Sequence, residues 1–174
     1  PFYLTGVLGL DTAGAGLVMT IGPTVSAIVG LPAGRLVDRS GPDVVALVGL
    51  VALLAGTLAM TILPGQFGVP GYVGSLVLIT SGYALFQAAN NTALMAGAPK
   101  EQQGVTSALL ALGRNVGLIT GASAMGALFA AGSGGSGNPG GTGLQVVFAT
   151  AAVLVALALG LSAWAAGRTA TVAD

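Results

Sequence analysis

The sequence predicts an all-α integral membrane protein, from its composition, its mean hydropathy and the length of its uncharged runs. Of the 174 residues, 54% are hydrophobic and only 6% are charged, and the mean hydropathy is +0.93. Soluble domains carry roughly a quarter charged residues. The apolar residues also form uncharged runs of about twenty, the length that an α-helix needs to cross a bilayer. The lipid bilayer is therefore the expected partner of most of this surface.

Five such runs lie between charged or turn-rich breaks, and each is predicted to be a transmembrane helix. Residues 1–10 are apolar but too short to span, so they are predicted to be the tail of a preceding helix. Residues 132–143 contain only Gly, Ser, Asn, Pro and Thr, which predicts a flexible loop on the non-cytoplasmic side. The whole chain, 1–174, is expected to be a partial transmembrane domain with an incomplete fold. Its predicted spans are residues 12–34, 44–63, 72–97, 104–131 and 144–166.

The positions of the basic residues predict the orientation, since Lys and Arg are retained on the cytoplasmic side. The loops that follow the second and fourth spans contain neither residue. We therefore expect a multi-pass protein of the plasma (inner) membrane with a cytoplasmic C-terminus. The basic residues that follow the first, third and fifth spans, and so fall on one side, are Arg35, Arg39, Lys100 and Arg168.

Composition also argues against several functions. Five basic residues balance five acidic ones, so the chain has no basic surface for nucleic acid. It contains no Cys and no His, which removes thiol nucleophiles and the commonest metal ligands. We expect no enzyme activity, no metal site and no bound cofactor, because an intramembrane enzyme would also need a carboxylate at membrane depth. The acids all lie in loops or at span ends, namely Asp11, Asp38, Asp43, Glu101 and Asp174.

The short cytoplasmic loop after the first span concentrates much of the charge. Local physics accounts for part of it, because Ser40 is expected to cap the next helix with Asp43, and Pro42 suits a first helical turn. A capped turn with arginines on the cytoplasmic side is therefore one interpretation of this loop.

A second interpretation comes from the spacing of Gly34, Asp38, Arg39 and Gly41. The pattern of Gly, three residues, Asp-Arg, one residue and Gly resembles the loop signature of the major facilitator superfamily. Pro42 replaces a basic residue of the signature, which fits the weaker second copy that follows the eighth span. The resemblance implies that Asp38 and Arg39 belong to a cytoplasmic gate that latches two halves of a transporter.

Other segments are similar to the same superfamily, in its drug and proton antiporter branch with fourteen spans. These are Phe86-Gln87 with Asn90-Asn91, and Arg114-Asn115 with the glycines that follow. The resemblance implies the C-terminal helical bundle of that fold, with the N-terminal half of the same transporter missing. It also implies multidrug efflux of small organic compounds driven by a proton gradient, with the coupling carboxylate in the missing half. An uptake member of the superfamily, or a non-transporting fragment, is the alternative.

Arg114 lies ten residues into the fourth span, roughly 15 Å from its start and near the middle of the bilayer. A charge at that depth is costly, so we expect Arg114 to face the central cavity or a charged partner in the other half. Gln87 falls at about the same depth, and its carbonyl suits a guanidinium. The wall of the substrate cavity is predicted to comprise Arg114, Gln87, Asn90 and Asn91, with Tyr83 and Phe86 as aromatic contacts. Each amide taken singly also fits interhelical hydrogen bonding.

Small residues and prolines carry two further expectations. Gly113, Gly117 and Gly121 recur every four residues, a spacing that lets another backbone approach closely. Pro23 and Pro32 interrupt the first span, and such a kink can serve a gating motion.

Overall fold

A computed structural model of the chain describes residues 2–133 and 141–171, with side chains described for 3–133 and 141–163. Five of its helices are long and apolar enough to cross a membrane. The prediction of an all-α membrane fold with five spanning helices is thereby confirmed. The elements are α1 (Phe2–Gly6), α2 (Thr12–Ser40), α3 (Pro42–Phe67), α4 (Val69–Gly97), a 3₁₀ turn (Lys100–Gln102), α5 (Gln103–Ser133) and α6 (Gly141–Thr171).

The helices extend past the apolar runs on which the predicted spans were based. The longest extension at a single helix end is in α2, which continues to Ser40 through the charged residues that follow the first run. A helix can continue beyond the hydrocarbon core, so helix ends and span ends are separate quantities. Helices also take up both ends of the predicted loop 132–143, because α5 ends at Ser133 and α6 begins at Gly141. The rest of that loop lies outside the described residues.

The order of the helices in space differs from their order in the chain. α4 lies between α2 and α3, α3 lies between α4 and α6, and α5 packs on α6 at the edge of the bundle. The consecutive helices α2 and α3 touch each other little, as do α4 and α5. Insertion of α4 between α2 and α3 therefore determines which faces of the bundle remain open.

The closest helix crossing joins α3 to α4 through two glycines. A Cβ atom placed on Gly49 would lie 2.6 Å from the Phe86 backbone nitrogen and 2.8 Å from the Gly82 carbonyl oxygen. A Cβ atom on Gly82 would lie 2.6 Å from the Leu53 nitrogen and 2.8 Å from the Gly49 carbonyl oxygen. Lipid tails are as apolar as leucine, so helices in a bilayer associate through close packing of this kind. Only glycine permits this approach at the two positions.

Buried hydroxyl groups at the same interface are satisfied within their own helices. The Ser75 hydroxyl donates to the Gly71 carbonyl oxygen at 2.9 Å, and the Thr57 hydroxyl lies within 3.0 Å of the Leu53 carbonyl oxygen. A hydroxyl without a partner would cost several kcal/mol in lipid, roughly the cost of any unsatisfied polar group there. These residues are therefore structural, and they leave the exposed polar residues as the candidates for function.

α2 is a continuous helix through both prolines that lie inside it, Pro23 and Pro32. Its N-cap residue is Asp11, whose carboxylate accepts a hydrogen bond of 3.0 Å from the Gly14 backbone N–H. This cap satisfies one of the free donors of the first turn. The expectation that the prolines support a gating motion remains a prediction.

Replacing Gly49 by alanine is expected to destabilise the protein, whereas Gly74→Ala is its matched control on α4. The added methyl group at Gly49 meets backbone atoms that cannot move aside, and overpacking of this kind costs about 1–3 kcal/mol. Nothing lies within 4 Å of a Cβ atom on the exposed Gly74. Thermal melting of the detergent-solubilised protein should show a lower midpoint for Gly49→Ala alone. Equal midpoints for the two variants would contradict this account of the crossing.

Candidate functional site

The turn between α2 and α3 is shorter than the sequence suggested. Gly34, Asp38 and Arg39 lie on α2 itself, and Gly41 is the single residue that connects the two helices. Gly41 has φ 82° and ψ 154°, a region that is essentially restricted to glycine. Its backbone N–H donates to the Val37 carbonyl oxygen at 2.9 Å, which closes the last turn of α2.

The start of α3 confirms one expectation about this turn and contradicts another. Pro42 opens the helix and Asp43 lies in its first turn, as predicted. The expected cap from Ser40 is wrong, because Ser40 is the last residue of α2 and Gly41 takes the cap position without a side-chain hydrogen bond. The continuation of α2 to Ser40 leaves no extended residue whose hydroxyl could face the free N–H groups of α3.

A small apolar cluster holds this turn against α4. Val37, Val45 and Ala89 are buried together, with Leu85 and Ala88 among the half-buried residues around them. Asp38 and Arg39, which follow Val37, are exposed. Asn90 and Asn91 follow Ala89, so the cluster places the predicted gate and the asparagine pair at the same end of the bundle. The sequence did not indicate this cluster, since valine and alanine recur throughout the spans.

Most of the predicted cavity residues on α4 share one face of the helix. Tyr83, Gln87, Asn90 and Asn91 are spaced by four, three and one residues, which places them on one side of an α-helix. Tyr83 is 36% exposed, Asn91 is exposed, and Gln87 and Asn90 are half-buried. Phe86 lies at the edge of this face, three residues after Tyr83 and four before Asn90, and its backbone nitrogen sits at the crossing with α3.

Arg114 lies on α5 and is exposed, as is every residue from 111 to 120. No hydrogen bond joins Gln87 to Arg114, so the expected partnership between them does not form among the described residues. The cause is the order of the helices, because α2 and α3 cover α4 while α5 packs on α6. The expected packing of Gly113, Gly117 and Gly121 also does not occur among the described residues, where nothing lies within 4 Å of a Cβ atom on any of the three.

A cavity of about 300 Å³ lies at the opposite end of the bundle from the Gly41 turn. It is formed by α1, the end of α3 and the start of α6, and it includes Tyr3, Met60, Thr61 and Gln145. None of the predicted site residues lines it, and no sequence motif pointed to it. In the part of the chain that the structure describes, no three His, Cys, Asp or Glu side chains converge as metal ligands would.

The combination of a charged, glycine-terminated helix end with a polar face on α4 agrees with the resemblance found in the motifs. The sequence profile of the Major Facilitator Superfamily matches residues 1–173, which is nearly the whole chain. The chain belongs to this superfamily. No solved structure matches the chain significantly.

Three curated relatives of this superfamily member are transporters by name. The uncharacterized transporter YebQ of Escherichia coli is 31% identical over 122 residues, which are 70% of this chain and 27% of that protein. The multidrug efflux pump LfrA of Mycolicibacterium smegmatis is 30% identical over 74% of this chain and 26% of its own length. The riboflavin transporter RibZ of Clostridioides difficile is 27% identical, over 75% and 28%. The chain therefore spans only about a quarter of the length of these relatives.

Within the superfamily signature, Gly41→Ala and Gly34→Ala are expected to differ sharply in stability. Gly41→Ala should lower the free energy of unfolding by about 1–3 kcal/mol, because alanine is strained at this backbone geometry. Gly34 is helical with nothing within 4 Å of a Cβ atom, so Gly34→Ala should leave stability nearly unchanged. Melting of the purified transporter in detergent compares the two. A stable Gly41→Ala variant would contradict the proposed role of this turn.

Proposed function

We propose that the chain is the C-terminal portion of a secondary active transporter that exports small organic or drug-like compounds in exchange for protons. The proposal places it in the drug antiporter branch with fourteen spans. The remainder of the transporter supplies the N-terminal half, and substrate crosses by alternating access between the two. Similarity to LfrA, a multidrug efflux pump by name, supports the direction and the class of substrate.

The observation that carries the proposal is the exposure of polar residues along apolar spanning helices. Tyr83, Gln87, Asn90 and Asn91 line one face of α4, and Arg114 projects from α5 without an ion pair among the described residues. Polar and charged residues at membrane depth usually face a cavity or a partner. In transporters of this type the substrate site lies near the bilayer midplane between two bundles. These residues, with Phe86 beside them, form the proposed cavity wall.

Asp38 and Arg39 form the proposed cytoplasmic gate together with Gly34 and Gly41. Both charged side chains are exposed at the end of α2, which leaves them free to contact another half. Because Val37 fixes this turn to Ala89 of α4, a displacement of the gate would be transmitted to the asparagine pair. The gate would therefore act on the polar face of α4 through direct packing.

Proton coupling requires a carboxylate that can exchange a proton within the membrane, and the described part of this segment contains none at that depth. The acids that the structure describes are at helix ends or in turns, and the proposal therefore assigns the coupling carboxylate to the remainder of the transporter. Uptake is the second candidate, and similarity to RibZ, a riboflavin transporter by name, is the observation that favours it. The direction of dye movement in cells distinguishes the two.

Replacing Arg114 by alanine in the full-length transporter is expected to reduce efflux of a fluorescent cationic dye by about tenfold, the effect of a lost interaction of about 1.4 kcal/mol. Lys100→Ala removes an equal charge from an exposed turn outside the spans and serves as the control. Dye retention in cells is measured at matched levels of inserted protein. Unchanged efflux by Arg114→Ala would refute the cavity assignment, and dye accumulation above the empty-vector level would favour uptake.

Single cysteines in a cysteine-free transporter are expected to reveal the orientation, since this segment has no cysteine of its own. Ser40→Cys lies at the proposed cytoplasmic end, and Gln66→Cys lies at the other end of α3. A membrane-impermeant maleimide added to intact cells should label Gln66→Cys and should reach Ser40→Cys only after permeabilisation. The reverse labelling pattern would invert the predicted topology.

A further inference from the structure

Arg114 is a charged residue on a spanning helix, and it has no ion pair among the described residues. α5 has 31 residues, so its midpoint is residue 118, and Arg114 lies four residues from it, roughly 6 Å along the axis. The guanidinium is planar and delocalised, and it keeps its positive charge in proteins. An arginine this close to the middle of a spanning helix therefore needs a counter-charge or a route to water.

No acidic residue in the described part of the chain supplies that counter-charge. Asp38 and Asp43 flank the Gly41 turn, Glu101 lies in the 3₁₀ turn before α5, and Asp11 caps α2. All of these positions are at the ends of helices, and none of them pairs with Arg114. Asp174 lies outside the described residues. The Arg114 guanidinium therefore has no counter-charge within the part of the chain that the structure describes.

The face of α5 that carries Arg114 is shaped for a close neighbour. Gly117 and Gly121 follow Arg114 by three and seven residues, and therefore lie on the same side of the helix. Space around both is open, whereas Gly49 and Gly82 at the α3–α4 crossing are filled by the backbone of the opposite helix. A neighbour that approached α5 as closely as α3 approaches α4 would shield the Arg114 guanidinium from lipid, at the border of the proposed cavity.

We propose that this face of α5 is covered by a spanning helix of the remaining transporter, and that this helix carries an Asp or Glu opposite Arg114. The inference rests on the proposed function, because it requires the chain to be one part of a longer transporter. The relatives are long enough to supply such a helix, since the matched region is 26–28% of each. Charge complementarity selects the residue type, because carboxylate is the side chain that pairs with guanidinium through two parallel hydrogen bonds.

A charge exchange in the full-length transporter tests the pairing. Arg114→Glu is combined, one position at a time, with replacement by Lys of each Asp or Glu in the predicted spans outside these 174 residues. Arg114→Glu alone should lower the melting temperature of the detergent-solubilised, substrate-free protein by several degrees, whereas Arg114→Lys should lower it less. One of the exchanges should restore the melting temperature. The same acid-to-Lys replacement should not rescue Lys100→Glu, in which the reversed charge is at an exposed turn.

The outcomes separate a protein carboxylate from the other possible occupants. If none of the inserted exchange variants recovers stability, the proposed pair does not exist. If Arg114→Gln leaves the substrate-free melting temperature unchanged and only raises the KM for an anionic substrate, the arginine binds substrate and the inference is overturned. Melting is measured without transport, so it tests the pair independently of activity. If a charge exchange restores the melting temperature but the wild-type protein moves no dye, only the proposed function is refuted. Dye efflux without any rescuing exchange would refute this inference alone.

Discussion

The crossing of α3 and α4 at Gly49 and Gly82 is the contact on which the rest of the arrangement depends. In lipid, helices gain little by burying apolar side chains, so they associate where small residues allow backbone atoms to meet. Gly56 continues the same seam against Ile79, where an added Cβ atom would lie 2.8 Å from the backbone nitrogen. This face of α4 packs against α3 and another packs against α2. The face that contains Gln87 therefore stays open. The polar residues of α4 are thus available because α3 and α2 occupy its other sides.

The bundle is unevenly packed, and its chemical groups lie where packing is weakest. α3 and α4 contain several fully buried residues, whereas α5 contains none among those described. α5 is attached mainly through α6, near Gly132 and Gly143, where a Cβ atom on Gly132 would lie 3.1 Å from the Gly143 Cα atom. Segments with few buried contacts have low local stability on their own. The weak packing of α5 coincides with an arginine on the same helix that has no ion pair among the described residues.

The connection between the gate turn and α4 is equally dependent on a few small residues. The end of α2, the start of α3 and the C-terminal part of α4 meet through Val37, Val45 and Ala89. Gly41 makes this possible, because its backbone geometry allows α3 to begin one residue after α2 ends. A longer connection between α2 and α3 would move the two helix ends apart and would separate Val37 from Val45. Asp38 and Arg39 follow Val37, and Asn90 and Asn91 follow Ala89. The packing of Val37 on Ala89 therefore links the two pairs at one end of the bundle.

The sequence by itself determined the membrane class, the five helices, the superfamily and the turn at Gly41 and Pro42. These follow from local properties, since a spanning segment must satisfy its own backbone and be apolar along its length. Only the tertiary structure decided which helices are neighbours. The spans are apolar over most of their surface, so hydrophobic periodicity does not show which face packs against another helix. The expected contact of Gln87 with Arg114 does not form among the described residues for that reason. Glycines that pack and glycines that do not look alike in the sequence. Gly49 lies against the backbone of a neighbouring helix, whereas Gly117 has no neighbour within 4 Å of a Cβ atom. This difference depends on the path of the whole chain.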